Sequence, residues 1–598
     1  MADEQRGWRQ FQKLTFDRRK MSRRVKKAEG ATVRHAHKFI VGRLDNIRSV
    51  RRHIVIWLLL VGVMIVAVGT QYVWFQSSYT TTAAARGGTY AEALLGPIDT
   101  LNPLYASSDA ELAASRLIFS SLFNYDETGH LHGDLAQSVS VDPKGTTYTV
   151  TLRPGVLWQD GTALTAKDVA FTVNLIKNPE TRSSLRVNWR DIAVTAVNDS
   201  TVQFHLPAVY AAFPNALTFS VLPEHLLSTV APGSIRENTF SRAPVGSGPF
   251  SFSLLQKVDT ARQRKTVHMV AFDKYYGGSS MVSRFEIHAY ESQDAITKAI
   301  KTGEVSATAD LAGTDLSQID THSYDIVDKP INSGVYALFN MSSPILKDHA
   351  VRQALELATD TTAIRNALPT KAPALSLPFV NGQLTGDGIP QPATSNALSA
   401  AQVLDADGWQ LKGSVRENKG QRLSLTIATT KNAQYEKALE VLAGQWRKLG
   451  VEVNTNVVNT ADPAANFVQS VLQPRAYDVL LYELFIGADP DVYAYWHSSQ
   501  VGTSGYNFSN YASDAADDAL SSARSRLEPD LRNVKYKAFA RQWIADVPAI
   551  GLYQPVMEYV VSKHVHALEP SSKLVSAYDR YANVLDWSVE QKSVYKTP

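Results

Sequence analysis

The sequence contains no cysteine. That excludes disulfides, thiolate metal sites, a cysteine nucleophile and lipid attachment through cysteine. It leaves the compartment open, because a large domain can be stable outside the cell without cross-links. Catalytic signatures are missing as well. There is neither a G-x-S-x-G elbow nor an H-E-x-x-H pair. The stretch "GSGPF", residues 246–250, lacks the lysine and following helix of a phosphate loop. Nor does the chain as a whole carry charge of one sign, since 60 Lys and Arg against 57 Asp and Glu leave +3. What remains is a globular composition, 44% apolar and 20% charged over 598 residues, which suits roughly two to four domains.

The near-neutral balance conceals an asymmetry. Before residue 54 there are 16 Lys and Arg and 5 Asp and Glu, or +11, so the remainder carries −8 (3 minus 11). An acidic body argues against nucleic acid as a partner. One long stretch is free of charge: "IVIWLLLVGVMIVAVGTQYVWF", residues 54–75, long enough to span a bilayer as a helix. Arg48, Arg51 and Arg52 precede it. Trp57 lies near one end and Tyr72, Trp74 and Phe75 near the other, as in the aromatic belts of membrane spans. This pattern predicts a cytoplasmic N-terminus, contact with the lipid bilayer through residues 54–75, and a large C-terminal part outside the cell. A cleaved signal peptide is the alternative, with small residues in "TTTAAARGG". The long basic leader and the length of the apolar stretch favour an uncleaved signal anchor. Residues 1–53 read as a basic cytoplasmic segment that meets anionic lipid, and residues 76–86 as a linker.

The rest alternates strand and helix patterns. In "TTYTVTLRPG", Tyr148, Val150 and Leu152 alternate with polar residues, as a half-buried strand requires. Asp160-Gly161 marks a tight turn. Thr165 and Asp168 are spaced as a capping box, opening a helix whose apolar positions are Val169, Val173 and Ile176. Ser108 or Asp109 can cap an earlier helix. "VLAGQWRKLGVEV" is a helix stopped at Gly450 and followed by a strand. Strand–helix alternation over the whole body indicates an α/β protein.

Taken in order, "GGTY…LNP", "LFNYDETGHLHGDLAQSVSVDPKGTTYTVTLRPGVLWQDGTALTAKDV", "PVGSGPF", "YYGG", "LKDHAVRQALELATD", "WRKLGVEV", "YDVLLYELFIGADPDVYAYW" and "DVPAIGLY" resemble the family 5 extracellular solute-binding proteins. These are the peptide-, dipeptide- and nickel-binding proteins of ABC importers. The resemblance runs from about residue 87 to near the C-terminus. It implies a bilobal type II periplasmic-binding-protein fold, a flytrap of two α/β lobes with an extra domain in one of them. On that template the first lobe takes residues 87–125, 244–335 and 555–598. The extra domain takes 126–243 and the second lobe 336–554, with hinge crossings near "GVYAL" and "GLYQP". Many relatives are held at the membrane by a lipidated cysteine, which this chain lacks, so the apolar span would take over that task. The resemblance further implies peptide cargo, an ABC permease as partner, a monomer, no catalysis and no cofactor. A signalling receptor of the same fold and a binder of a nickel chelate, haem or oligosaccharide are the alternatives; a surface hydrolase would need a nucleophile or metal set that is not visible.

The most informative stretch is "LFIGADPDVYAYW", residues 484–496, in which Asp489 and Asp491 stand among apolar and aromatic residues. An unpaired buried carboxylate is costly, so the acids are either a surface turn favoured by Pro490 or an anchor for something positive. In peptide-binding members an Asp at this turn holds the ligand's α-ammonium; Asp489 matches it and Asp491 is the second candidate. Phe485, Trp496, Tyr506 and Asn507 are the candidate walls of the ligand cleft. His130 with His132 in "GHLHGD", and His35 with His37 in "RHAHK", are each two residues apart but have no third ligand in view. They read as solvated loops and not as a metal site.

Overall fold

A computed structural model describes residues 47–259, 264–313, 315–460 and 465–595. The basic leader lies outside the described residues as far as residue 46, and His35 and His37 with it. The described chain divides into two compact units. One contains the helix Ile47–Tyr79. Its segment Arg51–Phe75 is long and apolar enough to cross a membrane, and none of it is buried. Thr70, a polar residue within it, turns its hydroxyl back to the carbonyls of Val66 and Ala67, both at 2.9 Å, so its own donor does not face an apolar surrounding unpaired. The linker expected over residues 76–86 is not open coil. The helix continues to Tyr79, and Thr80–Ala85 is a strand paired with Glu590–Tyr595. Three successive β-branched threonines favour that extended form.

The second unit runs from Ala84 to Gln591 and is built on three main sheets. The first has seven strands in the order Tyr324–Pro330, Val556–Ser562, Ala307–Thr308, Thr89–Leu95, Arg284–Tyr290, Arg264–Ala271 and Phe250–Asp259. Thr89–Leu95 lies at its centre and runs parallel to both neighbours. The second has five strands, ordered Glu452–Val458, Ser424–Thr430, Val479–Phe485, Ser333–Phe339 and Ala549–Tyr553. A four-stranded antiparallel sheet, Ala136–Val141, Thr147–Leu152, Thr201–His205 and Ala193–Asn198, forms the extra domain.

Side-chain alternation explains the layering. All seven residues of Ser333–Phe339 are buried. Val335, Ala337 and Phe339 enter one core with the helix Ala433–Leu449, while Tyr336 and Leu338 enter another with the helices Asp514–Arg524 and Pro529–Asp546. A strand covered on both faces reads as a continuous apolar run, as this one does. In the extra domain only one face is covered, and Tyr148, Val150 and Leu152 are the buried set. Their core is continuous with that of the seven-stranded sheet. Within it Trp189 packs against Phe213 and Phe219, with ring centroids 5.8 and 5.1 Å away.

Local signals act as their chemistry requires. The backbone N–H of Thr165 donates to Asp168 Oδ2 at 2.8 Å, opening the helix Ala166–Lys177. Ser108 and Glu111 form a reciprocal capping box. Gly450 ends its helix in the left-handed region, at φ 96°. The glycines of "GSGPF" serve close approach: a Cβ on Gly246 would lie 1.9 Å from the Ile118 carbonyl oxygen. Gln159 stitches this crossing down, donating to the carbonyls of Ile118, Gly248 and Phe250 and accepting from Gly246 N–H.

Two segments connect the lobes. The first sheet ends at Pro330 and the second begins at Ser333, so the first crossing is Ile331–Asn332. It falls before the division between residues 335 and 336 drawn from sequence, because Ser333–Phe339 is one unbroken buried strand. The other crossing is Gln554–Pro555. The two are bonded side by side: Ile331 N–H donates to Pro555 O at 3.1 Å, and the Gln554 side chain to Ile331 O at 2.9 Å.

Candidate functional site

Strand Val479–Phe485 delivers the chain to the acidic turn. Gly487 takes φ 81°, a left-handed geometry that glycine adopts without strain. The turn is clamped to the first crossing. Ile486 and Gly487 N–H groups donate to Asn332 O, and the Asn332 side chain returns a bond to Gly487 O at 3.1 Å. Gln383 adds a bond to Gly487 O at 2.9 Å. The acids therefore sit on a turn fixed to the hinge.

Each acid has an arginine. Arg532 grips Asp489 with both arms, Nη1 to Oδ2 at 2.8 Å and Nη2 to Oδ1 at 2.5 Å. Burial alone would lower the Arg532 pKa, but the hydrogen bond and charge of Asp489 outweigh it and raise it. Asp491 is held differently. Arg524 Nε lies 3.1 Å from its Oδ2, an ion pair at contact distance without hydrogen-bond alignment. Tyr493 N–H reaches its Oδ1 only at 3.4 Å. Burial pushes the Asp491 carboxyl up; Arg524 pulls it down by less. The Arg524 guanidinium also stacks between Tyr210 of the extra domain and Tyr493 of the second lobe, 4.4 Å from each ring centre. Its carbonyl accepts from Ala211 N–H at 3.0 Å. One residue thus joins the acidic turn to the opposite wall.

Between these walls is a cavity of about 710 Å³, within the range of small-ligand sites. Phe485, Asp489, Asp491 and Tyr495 contribute from the second lobe, Leu112, Arg116 and Tyr578 from the first, and Trp189, Tyr210 and Phe219 from the extra domain. A smaller cavity of about 260 Å³ shares Arg116, Phe119, Asn124 and Tyr125 with it and extends to Asp134 and Tyr276.

Of the residues singled out in the sequence, the structure brings Phe485, Asp489 and Asp491 to this cavity. Trp496 is not a wall. It is 1% exposed and packs edge-on against Tyr336 and Trp543, at 6.1 and 5.6 Å, because the short helix Tyr493–Trp496 turns it inward. Asn507 is fully buried and its side chain is spent on the chain itself: Nδ2 donates to His497 O and Tyr511 O, and Oδ1 accepts from Tyr511 N–H. Tyr506 is half-exposed beside Phe508 and lies outside the residues that wall the cavity. Sequence reasoning missed Arg524 and Arg532, although two carboxylates in an apolar run demand two cations. It also missed Arg116, Trp189, Tyr210 and Tyr578, which carry no local signature.

Among the described residues no group of three or more His, Cys, Asp or Glu is placed to hold a metal ion. His130 bonds to Thr128 Oγ1 at 2.7 Å in an exposed turn.

The sequence model described as "Bacterial extracellular solute-binding proteins, family 5 Middle" matches residues 130–506, more than half of the chain. The chain is 26% identical over 497 residues to the oligopeptide-binding protein AppA of Bacillus subtilis (strain 168), covering 79% of this chain and 87% of that protein. Its fold is similar to that of Bacillus subtilis AppA in complex with a nonapeptide, with a TM-score of 0.69 and 24% identity over 85% of this chain and 100% of the other. It is also similar to NikZ from Campylobacter jejuni in complex with Ni(L-His), with a TM-score of 0.70 and 26% identity over 84% and 99%.

Proposed function

The chain belongs to the family 5 bacterial extracellular solute-binding proteins, and on that premise we propose that it captures peptides between its lobes and hands them, unchanged, to an ABC permease. The observation that carries this reading is the 710 Å³ cavity walled by both lobes and the extra domain, with Asp489 and Asp491 on one side. A carboxylate offers about four acceptor sites, and the Arg532 fork uses two of those on Asp489. The remaining lone pairs accept a peptide's α-ammonium, in a cleft where exclusion of water strengthens the contact. Extended peptide backbone can then pair with protein backbone without regard to side-chain identity.

Closure needs no covalent step. It is a shift between open and closed populations, biased by contacts made only when the lobes meet. The paired crossings at Ile331 and Gln554–Pro555 supply the axis. The Arg524–Tyr210 stack is a contact of the closed form. We further propose that residues 54–75 stay uncleaved and hold the binding domain outside the membrane, near its permease. A tether of this kind raises the local concentration of loaded protein without new contacts. An intact mass of the membrane-extracted protein that includes residues before 54 supports this anchor; a mature chain beginning after residue 75 refutes it.

The test of the main reading is to extract the full chain in detergent, denature it and identify what it releases by mass spectrometry. Peptides with free amino termini are expected. Recovery of a metal chelate, haem or sugar without peptide overturns the proposal.

A further inference from the structure

Behind the acidic turn, Tyr210, Arg524, Tyr493 and His497 are layered one on another. The Arg524 guanidinium lies between the two tyrosines, and Tyr493 stacks on the His497 imidazole with centroids 4.0 Å apart and planes 22° from parallel. His497 is outside the residues that wall the cavity, yet it backs the layer that joins one wall to the other. Its hydrogen bonds fix its protonation. Nδ1 accepts from Ser499 N–H at 3.0 Å and so carries no proton. Nε2 lies 3.1 Å from Ser521 Oγ and carries the single proton of a neutral imidazole. The Ser499 hydroxyl is 3.2 Å from that of Tyr493, so ring, turn and tyrosine are tied together.

Few charged or titratable groups face His497. Asp517 and Arg524 come from the helix Asp514–Arg524, and Tyr493 from the short helix Tyr493–Trp496. The turn Ser498–Gln500 brings none. Asp491 stands one step further off, paired with Arg524. Asp517 is 3.8 Å from Nδ1 and is spent on Ser498, accepting its N–H at 2.9 Å and its hydroxyl. Burial lowers the His497 pKa from its ordinary value; Asp517 pulls it back by less, and the Arg524 charge adds to the lowering. A proton on Nδ1 removes the acceptor of Ser499 N–H and sets two N–H groups against each other. The imidazolium must then turn towards Asp517 and off the Tyr493 ring.

We propose that His497 is a positioning residue for closure: its neutral form holds Tyr493 and Arg524 against Tyr210, and its protonation loosens the closed form and weakens the hold on cargo. The proposal rests on the closure reading above and adds its regulation. Opening lifts Tyr210 from Arg524 and lets water screen the guanidinium, so the open form takes up the proton more readily. A base whose pKa is lowered in the closed form supports closure fully above the ordinary histidine value of about 6.5, and the support is lost as pH falls through the lowered one.

The test uses the full chain in detergent micelles and a degenerate pentapeptide library without Asp, Glu or His. Affinity is measured at pH 7 and pH 5 for the wild type and two variants. His497→Phe keeps a ring on Tyr493, and His497→Gln keeps an oxygen for Ser499 N–H; neither takes up a proton. Relative to both variants, the wild type should lose about three- to tenfold in affinity between pH 7 and pH 5. Asp491 and Glu558 are present in all three proteins and cancel from the comparison. A second readout needs no cargo. The sequence has no cysteine, so Val187→Cys in the extra domain and Leu398→Cys in the second lobe, at positions 62% and 79% exposed, take a pair of dyes specifically. Energy transfer between them should fall from pH 7 to pH 5 with His497 present and hold steady in both variants. A pH profile shared by wild type and variants in either readout overturns the assignment of His497 and leaves peptide binding standing. Transfer that falls as expected in a protein that binds no peptide at either pH keeps His497 and overturns the peptide reading.

Discussion

The pair Asp489–Arg532 can be broken from either side, and the two sides predict different outcomes for folding and for binding. Both side chains are largely buried, 16% and 13% exposed. Two unit charges about 4 Å apart attract by about 4 kcal/mol at an effective dielectric of about 20, and desolvation offsets much of that. Removing one partner is more damaging than removing both, since it leaves the other charge buried and alone, at about 3–5 kcal/mol. With some exposure remaining, Asp489→Ala should cost about 3 kcal/mol. For a lobe of this size that lowers the melting transition by roughly 6–12 °C. Arg532→Met should cost a similar amount. The double variant Asp489→Ala/Arg532→Met has no orphan charge and should melt well above either single variant. Affinity follows a different rule: a charge-assisted contact to an ammonium contributes about 1.5–3 kcal/mol, so Asp489→Ala and the double variant should both bind a free-amine peptide about 10- to 150-fold more weakly. Calorimetric melting and titration of the same samples separate the two effects. A single variant that melts within a degree or two of wild type, or a double variant no more stable than the singles, refutes the buried-pair reasoning. Wild-type affinity in the double variant refutes the ligand role of Asp489.

Three further outcomes follow from other contacts. Thr370 of the second lobe donates to the Glu558 carboxyl of the first, and burial raises that carboxyl to about 7; an acid raised above its unfolded value binds more protons when folded, so the contribution of this group to stability is full below about pH 4.3 and is lost as pH rises through 7. Glu558→Gln should flatten the melting temperature between pH 5 and 8, and an unchanged slope would exclude this group as the cause. Gly246→Ala forces a methyl group against the Ile118 carbonyl and should destabilise by at least about 1–3 kcal/mol, seen as a lower melting temperature; a neutral result would show that the crossing yields. Tyr210→Ala removes one face of the Arg524 stack, a cation–π contact of about 0.5–2 kcal/mol, and should weaken ligand affinity by roughly 2- to 30-fold while leaving X-ray scattering of the unliganded protein at an equal or larger radius of gyration; tighter binding would contradict its role in closure.

Much of the fold could be read from residue order. Tyr148, Val150 and Leu152 alternate and are the buried face of their strand, and Thr165 with Asp168 opens a helix at the expected place. These are local agreements of turn, cap and period, and local chemistry decides them. The continuous apolar run at Ser333–Phe339 hid the crossing, because a doubly covered strand has no alternation to mark where one lobe stops. Site residues divide along the same line. Asp489 and Asp491 were visible because acids in an apolar run demand an explanation. Trp496 lies away from the cleft because a single helical turn sends adjacent side chains to opposite sides, one to the cleft and one to the core, and Asn507 because its amide is spent on His497 and Tyr511. Arg116, Tyr210 and Tyr578 were invisible, since only the meeting of distant segments places them together.

Trp189 and Phe213 lie in the same continuous buried core as the seven-stranded sheet, so this side of the mouth has no joint of its own. Cargo too bulky for the chamber cannot shoulder it aside by local yielding; only the whole opposing jaw can swing back, at the expense of a complete bite. The largest acceptable meal is therefore set when the polypeptide folds. A change of diet would begin with substitutions at Trp189, Phe219 or Tyr210 rather than with any loosening of the axle.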